Sequence, residues 1–144
     1  VPETYYTVPL GKADVKRSGE DITVFCYGLM VNYCLQAADI LANDGIDVEV
    51  VDLRTVYPLD KTTIIERSQR TGKVLLVTED NLEGSIMSEV SAIIAENCLF
   101  DLDAPIMRLA APDVPSMPFS PTLENEIMMN PEKIQDKMRE LAQF

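Results

Sequence analysis

The sequence predicts an α/β fold with a mainly parallel sheet and helices on both of its faces. Three observations carry that prediction. Short apolar runs alternate with longer amphipathic stretches, β then α, three times, and a fourth apolar run closes the series. The runs lack the polar–apolar alternation of half-exposed strands, so they read as buried on both faces, as parallel strands are. The chain has 144 residues, 47% of them hydrophobic, which is one domain with a sizeable core.

Residues 1–20 carry Pro2, Pro9, Gly11 and Gly19 and read as a linker or arm leading into a domain that spans 21–144. Within that arm, residues 14–17 can add a short edge strand. The first residue is Val1, not Met, so the chain is expected to be a piece of a longer one. Residues 22–27 form the first buried strand. Gly28 follows, then a helix to about Asn43 with Leu29, Tyr33, Ala37, Ile40 and Leu41 expected on its inner face. Asp44-Gly45 stops it. Residues 47–53 are the second strand. Asp60 is placed to cap a helix that carries Ile64 and Ile65 inward and ends near Thr71-Gly72.

Residues 73–78 are the third strand. Gly84-Ser85 opens a helix with Ile86, Val90, Ile93 and Ile94 on one face, and residues 106–110 are the fourth strand. Pro112, Pro115, Pro118 and Pro121 make residues 111–121 extended and stiff, expected to drape over an edge of the sheet. Asn130-Pro131-Glu132 starts the last helix: a cap, a proline at the first position and an acid in the first turn. It runs to about Ala142 with Ile134, Met138 and Leu141 inward.

Composition excludes several kinds of function. A net charge of −12 argues against a nucleic-acid surface and fits a solvated acidic surface or a basic protein partner. Cys26, Cys34 and Cys98 are odd in number, lack CxxC spacing and sit in apolar settings, so they read as buried thiols of an intracellular, cytoplasmic chain. No stretch approaches the ~20 apolar residues of a membrane span, and no signal peptide is expected. The chain has no histidine, which removes any triad, zinc site or imidazole shuttle within it.

In a parallel sheet the strand C-termini share one edge, where open α/β folds place function. That edge should collect Tyr27 and Gly28, then Asp52 and Arg54, then Thr78, Glu79, Asp80 and Asn81. Arg54 can pair with Asp52 or Glu79, bind a carboxylate or phosphate, or bridge to another domain. Glu79 and Asp80 can be paired carboxylates for acid–base work, or a solvated loop. The N–H groups at Gly84-Ser85 could hold an anion, but two acids lie just upstream. There is no GxGxxG and no P-loop. A response-regulator receiver shares the geometry but needs an acid pair after its first strand, where this chain has Cys26-Tyr27-Gly28.

Five motifs then appear in order: DLRTVYPLD at 52–60, VTEDN at 77–81, GSIMSEV at 84–90, FDLDAPIMRLAAPDVPSMPFSP at 100–121 and NPEKI at 130–134. Together they resemble the C-terminal domain of the beta subunit of thiamine-diphosphate-dependent 2-oxo acid dehydrogenases, a domain shared with transketolase. The resemblance covers residues 5–143 and looks nearest to the bacterial branched-chain type, with pyruvate and acetoin dehydrogenase beta subunits as alternatives. It implies a three-layer α/β/α domain with a mostly parallel, about five-stranded sheet. It implies a parent enzyme that decarboxylates a 2-oxo acid oxidatively and passes the acyl group to a lipoyl arm. Its partners would be an alpha subunit, a second beta subunit and the lipoyl acyltransferase core, whose small basic subunit-binding domain would dock near the beta C-terminal domains, with Phe144 and acidic residues as contacts.

The cofactor implied is thiamine diphosphate with Mg, bound mainly outside this chain. The domain would pack beta against beta and line the mouth of the active-site channel, with Thr78, Glu79 and Asp80 at its rim, and by itself it would be inactive. Many relatives carry a His where this chain has Thr78, so the imidazole role does not carry over. Two other classes remain open at this point. One is a stand-alone module binding an anion or nucleotide at Arg54. The other is a dimerisation domain using Met128, Met129 and Phe119.

Overall fold

A computed structural model describes residues 3–114 and 118–144. Among them, five strands form one sheet: β1 (Asp14–Arg17), β2 (Ile22–Cys26), β3 (Val48–Asp52), β4 (Val74–Asn81) and β5 (Met107–Ala111). The order across it is β1-β3-β2-β4-β5. β2, β3, β4 and β5 are parallel, while β1 runs antiparallel to β3 along one edge. The edge strand expected within the arm is therefore present. β4 is longer than the expected strand and continues through Glu79, Asp80 and Asn81, with a register shift against β5 between Val77 and Asn81.

Successive side chains of a strand point to opposite faces, and each face has its own core. On one face, Ile22, Val24, Cys26, Val48, Val50, Leu75, Val77 and Met107 meet α1 (Leu29–Ala42) and α5 (Pro131–Ala142). On the other, Phe25, Val51, Leu53, Val74 and Leu76 meet α2 (Lys61–Thr71) and α3 (Ile86–Cys98). These are the three layers. Ile134, Met138 and Leu141 of α5 are fully buried, as expected. All three cysteines are free and buried. No helix is long and apolar enough to cross a membrane among the described residues.

The inner face of α1 differs from the expectation. Met30, Val31, Cys34, Ala37, Ala38 and Leu41 are buried, whereas Leu29 and Ile40 face outward. Asn32, Gln36 and Asp39 share one stripe at four- and three-residue spacing, and Leu29 and Ile40 border that polar stripe. The buried residues lie opposite it, so the polar positions mark the outer face better than the apolar ones mark the inner. The helix ends behave as their residues dictate. Asp60 caps α2 by accepting the Thr63 N–H, and Asn130 caps α5 by accepting the Lys133 N–H at 2.9 Å. Gly72 closes α2 in the left-handed region at φ 66°, and a Cβ there would lie 2.4 Å from an Asp103 carboxylate oxygen.

A further helix, α4 (Pro121–Ile127), was not expected from the proline-rich segment. Residues 112–114 are irregular, and part of the expected draped segment, residues 115–117, lies outside the described residues.

Candidate functional site

The strand C-termini meet on one edge, but they build two clusters rather than one. The first stands between β2 and β4. From β2 the chain winds to β3 on one side, then returns to β4 on the other, so this gap is where the winding reverses and where open α/β sheets bind ligands. Here a pair of side chains occupies it. The Tyr27 hydroxyl lies 2.9 Å from Thr78 Oγ1, and that oxygen also accepts the Asp80 N–H at 3.1 Å. Thr78 is buried, and Tyr27 packs against the core of the α2–α3 face. Gly28 adopts φ 60°, and a Cβ there would stand 3.8 Å from Glu79 Oε1, so the Glu79 carboxylate leans over the β2 terminus. Asp80 and Glu79 themselves are exposed.

The second cluster lies at the β1–β3 edge. Arg54 is the one non-glycine residue at positive φ, 58°, among the described residues. Asp52 Oδ1 accepts the Arg54 N–H at 2.9 Å, a side chain-to-backbone bond that props this turn. Pairing of the guanidinium with Asp52 or Glu79, one of the alternatives open from the sequence, is not what the structure has. The guanidinium donates to Asp14 Oδ2 at 2.6 Å, because β1 inserts its own acid beside the end of β3. Lys16 Nζ bonds the same oxygen at 2.6 Å. The hydrogen bond from Lys16 holds the Asp14 carboxyl below its ordinary value despite partial burial, and the charges of Lys16 and Arg54 add to it. A guanidinium spent on Asp14 is not poised for an incoming anion.

The loop between the clusters and α2 is anchored by the arm. Gly11 donates its N–H to Thr55 Oγ1 at 3.1 Å, and Ala13 donates to Asp60 Oδ2 at 3.0 Å. Burial opposes ionisation of Asp60. The bonds from the Thr63 hydroxyl, the Ala13 and Thr63 N–H groups and the charge of Lys12 outweigh it, so its carboxyl sits below the ordinary value. Beside this loop Val56, Tyr57, Pro58, Leu59, Lys61, Ile86 and Glu89 line a shallow, mostly apolar groove of about 460 Å³.

Sequence reasoning missed one charged network, at the opposite end of β3. Glu49, fully buried, accepts from Arg70 at 2.7 Å, from Arg67 at 3.5 Å and from the Thr23 hydroxyl at 3.2 Å. The signal was present: one acid inside the apolar strand V-E-V-V-D requires a partner. Of the residues considered for a dimer face, Met129 is buried in the core, Met128 is half-buried and Phe119 is fully exposed.

Chemically, the edge offers exposed carboxylates, a satisfied arginine and a latched crevice. It has the makings of a wall, not of a self-contained active site.

The geometry has counterparts. A solved structure described as a split gene transketolase, inactive beta4 tetramer, superposes with TM-score 0.84 over 99% of this chain and 47% of its own, at 23% identity, which speaks for the fold. The 2-oxoisovalerate dehydrogenase subunit beta of Bacillus subtilis (strain 168) is 66% identical over 144 residues, all of this chain and 44% of that protein. The acetoin:2,6-dichlorophenolindophenol oxidoreductase subunit beta of the same organism is 45% identical over 93% of this chain and 39% of its own length. Its pyruvate dehydrogenase E1 component subunit beta is 44% identical over all of this chain and 44% of its own length. The chain thus spans less than half the length of these relatives. The family model described as transketolase, C-terminal domain, matches residues 11–134, and the chain belongs to that family.

Proposed function

We propose that the chain is the C-terminal domain of the beta subunit of a branched-chain 2-oxo acid dehydrogenase, acting on 3-methyl-2-oxobutanoate and its kin. The parent enzyme decarboxylates the 2-oxo acid oxidatively and transfers the acyl group to a lipoyl carrier. The observation that carries this reading is the gap in identity: 66% to the 2-oxoisovalerate dehydrogenase subunit against 45% and 44% to the acetoin and pyruvate subunits.

Within that enzyme the domain serves assembly and forms one wall of the channel mouth, with Thr78, Glu79 and Asp80 at the rim. The Tyr27–Thr78 bond keeps β2 and β4 together and fixes the turn carrying the two carboxylates. Thiamine diphosphate with Mg would supply the electron sink for decarboxylation. Its binding residues belong, on this reading, mainly to the alpha subunit and to the part of the beta subunit outside this chain, which spans 44% of the similar 2-oxoisovalerate dehydrogenase subunit. The partners are an alpha subunit, a second beta subunit and the acyltransferase core, whose basic subunit-binding domain suits a surface of net charge −12. The enzyme works in the cytoplasm.

The test is to assemble the full-length beta subunit with its alpha subunit and compare kcat/KM for 3-methyl-2-oxobutanoate and pyruvate, with acetoin as a third substrate. Preference for the branched acid supports the reading. Preference for pyruvate or acetoin sinks it in favour of that subunit type.

A further inference from the structure

We draw no further inference here: the strongest candidate, the shallow apolar groove beside the start of α2 that Val56, Tyr57, Pro58, Leu59 and Ile86 line, is an unpartnered face, and nothing in the structure shows what covers it.

Discussion

The phenol of Tyr27 meets the hydroxyl of Thr78 at 2.9 Å across the gap between β2 and β4, the crevice where an open α/β sheet would ordinarily admit a ligand. Thr78 Oγ1 holds the Asp80 N–H as well, so one buried hydroxyl joins two strands and sets the start of the acidic turn. Tyr27→Phe and Thr78→Val should each cost about 1 kcal/mol in urea unfolding, the threonine change more because it also orphans the Asp80 N–H. The double variant should cost less than the sum of the two. Strict additivity would mean that the bond contributes nothing.

Arg54 turns the chain at φ 58° while pairing with Asp14. Alanine and glycine both remove the ion pair, but alanine keeps the left-handed conformation that an L side chain resists. Arg54→Gly should therefore be more stable than Arg54→Ala by about 1 kcal/mol. Thermal melts of the two variants check the order, and alanine equal to glycine would show that the turn carries no strain.

Asp60 ties the arm to α2 by accepting from Ala13 and Thr63. Asp60→Ala should lose about 2 kcal/mol, a cap plus a buried bond to the arm. The folded carboxyl is held below its ordinary value, so the ionised form is bound more tightly folded than unfolded. Its contribution is complete above about pH 4 and fades as pH falls through the folded value. The stability gap between wild type and Asp60→Asn should be flat from about pH 6 to 8 and shrink in acid. A gap that grows in acid would reverse the sign of this linkage.

Glu49 lies fully buried with Arg70 at 2.7 Å and Arg67 at 3.5 Å. Glu49→Ala should cost about 2–3 kcal/mol, less than an enclosed pair would, because both arginines still reach solvent. Glu49→Leu with Arg70→Met should recover much of the loss, measured by urea unfolding.

Local chemistry made most of the fold legible. Asp60, Gly72 and Asn130 end or begin helices by bonds to their own neighbours, so their roles are written in a few consecutive residues. The unalternating strands call for helices on both faces by themselves, and the order of motifs places the chain in its family.

What only the tertiary structure decided are relationships between residues distant in the chain. Arg54 found Asp14 rather than Asp52 because an antiparallel edge strand, 40 residues away, brought an acid to the end of β3. Tyr27 and Thr78 became partners because β2 and β4 are neighbours in the sheet, though 51 residues separate them in sequence. Periodicity and capping are short-range and can be read along one strand or helix; charge pairing and crevice closure depend on which strands lie side by side.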